Sequence, residues 1–305
     1  MRGGRGKRAR VSKVLQVDPV AASDMQFGRG SQCVEIAASS TGGDAYKQSS
    51  SGPQSVETAA RTQERRQRFP IHARATHVKR GLKYKIENIG KILRENNLSK
   101  LLNKKQQIIG RMKCEELNRT KVARAAVTDA GGWCPIASRT KHSGFDKQLA
   151  ITLAKFFEGN YIASFGDGPG KFKEAVLETG LVRAYDAYDG APFCEVTSNG
   201  LVQFLDLSIP QFGLPVYDWI LCLEVAEHVP KAFEEVLLGN LVRHARKGVI
   251  LSWARLDQPG YSHVNNRSPE YVISCMDKLD FEIHREFTNQ IRNGTTIYYL
   301  KSNLR

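Results

Sequence analysis

The feature that most constrains the fold is an alternation of apolar strands with amphipathic helices from about residue 145 onward. The strand pattern YIASF runs into a glycine-rich turn at 166–170, and a helical pattern follows that turn. Further strand patterns recur at LVRAYDAYD, LVQFLDL, YDWILCLEV and GVILSWA. Apolar strands that alternate with amphipathic helices form a parallel sheet that is covered on both faces. The pattern therefore predicts a doubly wound α/β domain.

Two more strand-like segments, FEIHREFT and TTIYYLKS, flank an Asn-Gly pair at 293–294. Asn-Gly between two apolar runs is typical of a tight hairpin turn. Together the segments predict a Rossmann-like, mostly parallel sheet of seven strands that ends in a C-terminal antiparallel strand pair.

Helix ends are also marked in this half of the chain. Pro230 is expected to open a helix that Arg246 and Lys247 close, with Gly248 as its C-terminal cap. A further helix is expected to begin at Ser268-Pro269, because serine is a favoured N-cap residue and proline a favoured first residue.

Positive charge is concentrated in the N-terminal half. Residues 1–145 hold 29 Lys and Arg against 11 Asp and Glu, whereas residues 146–305 hold 16 against 20. Residues 1–60 are rich in small and polar residues without apolar periodicity, which predicts a disordered tail. Residues 61–130 are expected to form a basic, helical extension, and residues 131–305 the α/β domain.

The basic segment 61–124 contains 19 basic residues against five acidic ones. One interpretation is an arm for nucleic acid or another polyanion, because lysine and arginine contacts to phosphates release counterions. The alternative is a solvated extension that keeps the protein soluble or addresses it to a compartment. Only Phe69 and Tyr84 are available there for base stacking, which disfavours sequence-specific binding of single strands.

Several protein classes are excluded by the sequence. No apolar run approaches the roughly 18 residues of a membrane span, and the Arg-rich N-terminus lacks the apolar core of a secretory signal. The six cysteines are scattered without a C-x-x-C pair, so neither a zinc site nor a dense disulfide framework is expected. We therefore expect an intracellular protein, cytoplasmic or nuclear, in a reducing compartment.

The glycine turn is expected to place a ligand. Gly166, Gly168 and Gly170 follow the first strand, at the sheet edge where open α/β sheets bind ligands. Glycine lets the backbone approach a ligand closely and adopt a positive φ. The spacing is not that of a dinucleotide site, and no Lys-Ser/Thr pair completes a phosphate loop.

Acidic residues end the following strands. Asp186 and Asp189 could accept hydrogen bonds from a ribose diol, and Asp206 ends the third strand, where an acid can hold an exocyclic amine. Each aspartate by itself is a common loop cap, but three at successive strand ends favour a bound nucleoside.

The series IASFGDGPGKF, AYDAYDGAP, VQFLDLSIP, DWILCLEVAEHVP and KGVILSWA resembles class I S-adenosylmethionine-dependent methyltransferases over about residues 145–301. Within that superfamily, GGWC at 131–134, DGA at 189–191 and LEV-x-EH-x-P are similar to a largely uncharacterised group of eukaryotic methyltransferase-like proteins. The resemblance implies that the glycines surround the methionine moiety of S-adenosyl-L-methionine, that Asp189 holds the ribose and that Asp206 approaches the adenine.

One position departs from the family pattern. Ser164 stands where an acid is usual, and Asp167 inside the turn could compensate in the contact to the methionine amino group. Trp133 could cover the cofactor, or it could anchor the linker as a buried residue. The expected cofactor-binding residues are Ser164, Gly166, Asp167, Gly168, Gly170, Asp186, Asp189, Asp206 and Glu224.

The E-x-x-E-H segment holds the residues expected to do the chemistry. In one hypothesis, Mg²⁺ or Mn²⁺ is bound by Glu224, Glu227, His228 and His263. This segment resembles the metal-binding segment of small-RNA 3′-end 2′-O-methyltransferases and of ubiquinone-pathway O-methyltransferases. In the other, His228 or His263 is a general base oriented by carboxylates such as Glu227. A third interpretation is that Glu227 and His228 only cap a helix and shape the pocket.

The expected function is transfer of a methyl group from S-adenosyl-L-methionine to an oxygen or nitrogen of an acceptor whose class the sequence does not identify. The alternatives are a metal-dependent RNA 2′-O-methyltransferase and a catalytically inactive cofactor-binding module whose basic arm binds a polyanion.

Overall fold

A computed structural model describes residues 71–120, 127–135 and 145–305, with side chains described from residue 87 onward. The described chain falls into two compact units, of which one contains residues 71–94 and the other the described residues from Glu95 to Arg305. The tail expected at residues 1–60 lies outside the described residues.

The elements of the described residues include five strands and eight α-helices. The strands are β1 (Tyr161–Phe165), β2 (Ala184–Asp189), β3 (Gln203–Phe204), β4 (Tyr217–Leu223) and β5 (Ala245–Ser252). The helices are α1 (Ile71–Arg119), α2 (Lys147–Phe156), α3 (Lys171–Glu178), α4 (Cys194–Thr197), α5 (Glu234–His244), α6 (Pro269–Asp277), α7 (Arg285–Gly294) and α8 (Tyr298–Asn303).

The strands form one parallel sheet in the order β3-β2-β1-β4-β5. Successive residues of a strand face opposite sides, so Ile162 and Ala163 of β1 enter different cores. Helices α2 and α3 pack on the Ile162 side, whereas α5 and α6 pack on the Ala163 side. The predicted parallel α/β architecture is therefore confirmed, with five strands in the described part of the chain.

The C-terminal antiparallel pair is not formed. In its place lie the helices α7 and α8, and the Asn-Gly pair ends α7 instead of forming a hairpin turn. A helix places Phe287 and Ile291, which are four residues apart, on one face, and contacts such as that of Gly294 with Thr152 of α2 favour it over a strand. Beyond α8, Leu304 makes an isolated antiparallel bridge to Ser252 of β5.

The helix boundaries were predicted with mixed success. Helix α6 begins as expected, because the Ser268 side chain accepts a hydrogen bond from the backbone N–H of Tyr271. Helix α5 ends at His244, and Arg246 and Lys247 already belong to β5. Gly248 is therefore a strand residue, not a helix cap, and it pairs with Trp219 of β4.

The C-terminal part of α1 packs on the sheet domain. Asn103 accepts a hydrogen bond from the backbone N–H of Asp206, and Gln107 donates to Glu195. A disulfide joins Cys114 of α1 to Cys134. The scattered cysteine spacing does not predict this bond, and the expected reducing compartment stays a prediction. Among the described residues, no helix combines the length and apolarity that crossing a membrane requires.

Candidate functional site

The glycine turn leaves β1 in a left-handed conformation. Gly166, Gly168 and Gly170 have φ values of +99°, +63° and +87°, which residues with a side chain rarely adopt. The backbone N–H of Gly168 donates to Asp189 Oδ2 at 2.8 Å. A Cβ added at Gly166 would lie 2.2 Å from Val225 Cγ2. The turn is therefore fixed against the ends of β2 and β4, and glycine is required at its first position.

Two of the three predicted strand-end aspartates reach the same cavity. Asp189 and Asp206 both line it. Asp206 accepts hydrogen bonds from the backbone N–H and the hydroxyl of Ser208, and burial raises its pKa. Asp186 is not among the lining residues, since its carboxylate accepts hydrogen bonds from the phenols of Tyr161 and Tyr217. Side chains three positions apart in a strand point to opposite faces of the sheet, so Asp186 and Asp189 lie on different faces.

Ser164 and Asp167 form a buried pair at the turn. The Ser164 hydroxyl donates to Asp167 Oδ2 at 2.7 Å. Burial raises the pKa of Asp167 to about 6, although the hydroxyls of Ser164 and Tyr185 favour the charged form. The nearby charge of Asp189 adds to the increase in this pKa. An acid therefore does lie beside the turn, three residues after the position at which the family pattern has it.

These residues line one cavity of about 1100 Å³ at the carboxyl ends of the strands. The sequence-predicted residues that line it are Ser164, Gly166, Asp167, Gly168, Asp189, Asp206, Glu224, Glu227, His228 and His263. Gly170 lies just behind it and begins α3. The volume lies just above the roughly 300–1,000 Å³ of ordinary ligand pockets.

Glu227, His228 and His263 converge on one point of the cavity wall. One potential ligand atom from each of the three lies within 4.8 Å of the others. The Glu227 side chain is 0% exposed, and neither carboxylate oxygen has a hydrogen-bond partner. Burial raises the pKa of Glu227 well above its ordinary value, and the charge of Glu224 acts in the same direction. A buried carboxyl group without a hydrogen bond is costly, and Nε2 of His263 lies 4.0 Å from its Oε1.

The two histidines are neutral at pH 7. Burial lowers the pKa of His228 to about 4, and the neighbouring His263 contributes to the decrease. Burial also lowers the pKa of His263. Nδ1 of His228 lies 3.3 Å from the backbone oxygen of Ser262, so we assign the proton of the neutral ring to Nδ1. Its Nε2 then keeps a lone pair for a metal ion or for a proton.

Glu224 lies outside this group of three. Its two carboxylate oxygens accept hydrogen bonds from Asn303 and Gln258. The residue has a φ of +54°, and its backbone N–H donates to the hydroxyl of Ser252. Glu224 therefore connects β4 to the C-terminal helix α8, and it also lines the cavity.

Aromatic rings surround the histidines. The Trp133 ring makes edge-to-face contacts with His228 and Tyr261, at centroid distances of 5.5 Å and 5.4 Å. Tyr298 and Tyr299 of α8 also line the cavity. The sequence did not predict that α8 lines the cavity. The chain just before α8 is fixed by a long-range contact, in which the backbone N–H of Thr296 donates to Asp146, 150 positions earlier.

No family model and no curated protein sequence matches the chain. Solved structures that resemble it include the magnesium protoporphyrin IX methyltransferase ChlM from Synechocystis with bound SAM, at 16% identity and a TM-score of 0.37 over 46% of this chain and 70% of that one. The methyltransferase domain of bacterial CtHen1 matches at 14% identity and a TM-score of 0.35, over 46% of this chain and 92% of that domain.

A third similar structure is the glycopeptide N-methyltransferase MtfA complexed with sinefungin, at 12% identity and a TM-score of 0.32 over 38% of this chain and 57% of that one. All three likenesses concern the fold. What the chain does has to be inferred from its own cavity.

Proposed function

We propose that the chain transfers a methyl group from S-adenosyl-L-methionine to an oxygen or nitrogen of an acceptor molecule. The observation that carries the proposal is a single cavity with two kinds of wall. One wall is the left-handed glycine turn with Asp189 and Asp206, and the other is the group of Glu227, His228 and His263.

The first wall fits the cofactor. Asp206 and Asp189 offer carboxylates for the adenine amine and the ribose, and the turn leaves no side chain at Gly168. Asp167 brings a carboxyl group beside the turn, with one oxygen bound to Ser164. Bound there, S-adenosyl-L-methionine supplies an electrophilic methyl group that needs only an aligned nucleophile.

The second wall fits the acceptor. A nucleophile held about 3 Å from the methyl group gains most of its rate from position and orientation. An unprotonated Nε2 of His228 can accept the proton that an acceptor hydroxyl or amine loses. Trp133 and Tyr261 add aromatic surface to this wall, beside the ring of His228.

Binding of S-adenosylhomocysteine tests the cofactor site. Gly168→Val should weaken binding at least tenfold, because valine strains a φ of +63° and occupies space beside the methionine moiety. Gly180→Val is the matched control, since Gly180 has a φ of +67° and no atom within 4 Å of an added Cβ. Isothermal calorimetry should find the control within about twofold of wild type. Unchanged binding in a folded Gly168→Val variant would show that the site is misplaced.

A divalent cation, Mg²⁺ or Mn²⁺, is the second part of the proposal. The buried carboxyl group of Glu227 makes no hydrogen bond, which favours an ion there. One carboxylate and two neutral imidazoles suit a transition metal such as Mn²⁺ better than Mg²⁺, which prefers oxygen ligands. Glu227, His228 and His263 would hold the ion, and its charge would lower the pKa of an acceptor hydroxyl.

Electron paramagnetic resonance of added Mn²⁺ tests the ion without any assay of activity. Wild type should bind Mn²⁺, and Glu227→Gln should lose binding. Glu224→Gln is the control, because both Glu224 oxygens are already held by Asn303 and Gln258. Equal Mn²⁺ binding by wild type and Glu227→Gln would exclude the site.

Turnover separates the cation from a histidine base. Under the metal hypothesis, a chelator should abolish methyl transfer. Under the base hypothesis, a chelator should have no effect, and His228→Ala or His263→Ala should lower kcat about 10²–10⁴-fold with little change in KM.

The class of acceptor is tested with pools of RNA, protein and small molecules. Transfer to RNA only would favour the RNA 2′-O-methyltransferase, and no transfer with intact cofactor binding would favour the inactive module.

A further inference from the structure

A short segment crosses the cavity from one wall to the other. We call residues 131–134, with the sequence GGWC, the strap. A Cβ added at Gly131 would lie 2.2 Å from the backbone oxygen of His228, and one added at Gly132 would lie 2.0 Å from that of Gly190. The strap therefore touches the chain next to Asp189 on the cofactor side and His228 on the acceptor side. Only glycine permits both approaches.

The side chain that the strap carries is directed to the acceptor side. Trp133 is half-buried, and its ring contacts the rings of His228 and Tyr261. His263 continues the group, with its ring centroid 5.0 Å from that of His228. Four aromatic rings thus line the region where a nucleophile would meet the proposed base or cation.

The strap is anchored from behind by a covalent bond. Cys134 is 2% exposed and is joined to Cys114 of α1, which is itself held by the contacts of Gln107 and Arg111 with Glu195. The backbone around the strap is also closed by the hydrogen bond from Thr128 N–H to the Gly132 oxygen, at 2.7 Å. The position of Trp133 therefore depends on α1 as well as on its own loop.

We infer that Trp133 is a specificity-determining residue that selects acceptors with a flat ring beside the methylated atom, and that the Cys114–Cys134 disulfide positions it. The inference rests on the proposed function. Aromatic walls favour flat aromatic ligands over aliphatic ones of equal size, because edge-to-face and offset contacts add attraction beyond apolar burial. The attraction of one ring contact corresponds to about a two- to tenfold change in affinity.

Two probes of similar size test the preference. Catechol has a flat ring and cyclohexanol does not, and ligand-observed NMR can measure the binding of each to the full chain saturated with S-adenosylhomocysteine. EDTA is present throughout, so that chelation of a metal ion by catechol does not contribute. Catechol should bind wild type more tightly than cyclohexanol does. Trp133→Ala should weaken catechol binding about two- to tenfold and leave cyclohexanol nearly unchanged, and Trp133→Phe should restore most of the loss.

The disulfide is tested in the same assay. Replacing both Cys114 and Cys134 by serine should weaken catechol binding as Trp133→Ala does, and reduction of the wild type with a phosphine should have the same effect. Cys275→Ser is the matched control, because Cys275 is a buried cysteine of α6 without a disulfide. The affinity for S-adenosylhomocysteine should stay within about twofold of wild type in every variant.

The outcomes separate this inference from the proposed function. If wild type does not bind S-adenosylhomocysteine, the proposed function itself is wrong. If it does bind, but catechol binds no better than cyclohexanol or Trp133→Ala affects both probes equally, only the role of Trp133 is wrong. Unchanged catechol binding in the double serine variant would overturn the positioning role of the disulfide.

Discussion

Asp167 is a buried acid whose charge state changes within the range of an ordinary binding experiment. Its pKa is raised to about 6 by burial, so the carboxyl group is charged at pH 7.5 and mostly neutral at pH 5. If it contacts the ammonium group of the cofactor, affinity must fall as the pH falls through this range.

Binding of S-adenosylhomocysteine as a function of pH measures this contact. Wild type should lose affinity between pH 7 and pH 5, whereas Asp167→Asn should be about tenfold weaker at pH 7.5 and vary little with pH. Asp257→Asn is the control, because Asp257 is an exposed acid on the rim of the same cavity. A wild-type affinity that is flat from pH 7 to pH 5 would exclude the contact.

His228 makes the stability of the fold depend on pH. Its pKa is lowered to about 4 in the folded chain, against about 6.5 when unfolded. Between these values the unfolded state takes up a proton that the folded state does not, so the free energy of unfolding decreases as the pH falls. Denaturant titrations at pH 7 and pH 5 should find a smaller pH dependence in His228→Gln than in wild type. Equal dependence in both would show that His228 is not buried as described.

The candidate site was largely foreseeable residue by residue. The glycines, Asp189, Asp206 and the E-x-x-E-H segment follow strands, and the ends of parallel strands meet at one edge, so their convergence follows from the alternation of elements. The orientation of the Glu224 side chain was not foreseeable. Its partners Asn303 and Gln258 lie in segments whose position in the fold cannot be predicted from the local sequence pattern.

At the scale of elements, β5 packs against β4 with no space for a larger residue at Gly248. A Cβ added there would lie 2.4 Å from Cζ3 of Trp219. Gly248→Ala should therefore lower the free energy of unfolding by about 1–3 kcal/mol through overpacking. Gly90→Ala in α1 is the comparison, since its nearest neighbour is the flexible end of Arg94 and alanine favours a helix. Thermal unfolding should show a decrease only for Gly248→Ala.

Long apolar segments were predicted well and the C-terminal ones were not. Strands β1 and β4 and the C-terminal half of β5 are largely buried on both faces, which leaves a nearly continuous apolar run in the sequence. The segments of α7 and α8 are short and polar, so their sequences are compatible with the period of a helix and with that of a strand. Tertiary contacts decide them, such as the close approach of Gly294 to Thr152 of α2.

At the scale of the whole molecule, the boundary between arm and domain falls inside one helix. The larger unit begins at Glu95, and the contacts of Ser99, Asn103 and Gln107 with the sheet domain lie beyond it. The boundary expected near residue 130 stays a prediction, since composition does not register which face of a helix is packed.

Two truncations test where the domain begins. Removal of residues 1–94 should leave the affinity for S-adenosylhomocysteine and the midpoint of thermal unfolding nearly unchanged. Removal of residues 1–119 deletes the disulfide and the contact to Asp206, and should lower the free energy of unfolding by about 2–5 kcal/mol. Equal stability of the two truncated proteins would show that α1 contributes nothing to the domain.

The same shorter truncation tests the basic arm. If residues 61–124 hold a polyanion, the affinity of the full chain for RNA should fall steeply between 50 and 200 mM salt, as expected for counterion release. Removal of residues 1–94 deletes 11 of the 19 basic residues of this segment, so it should weaken RNA binding and make it less dependent on salt. RNA bound as tightly by the truncated protein would assign the polyanion site to another part of the chain.

The strand order of the sheet also has a consequence for how the chain reaches its fold. Ile162 of β1 pairs with Tyr185 of β2 and with Trp219 of β4, so both partners of the central strand are distant along the chain. No hairpin can form first and guide the rest, and each pairing must close a long loop before it gains a hydrogen bond. A nascent chain that stops short of β4 would expose the apolar flank of β1 to other chains. Completion of the sheet therefore requires the chain through β5.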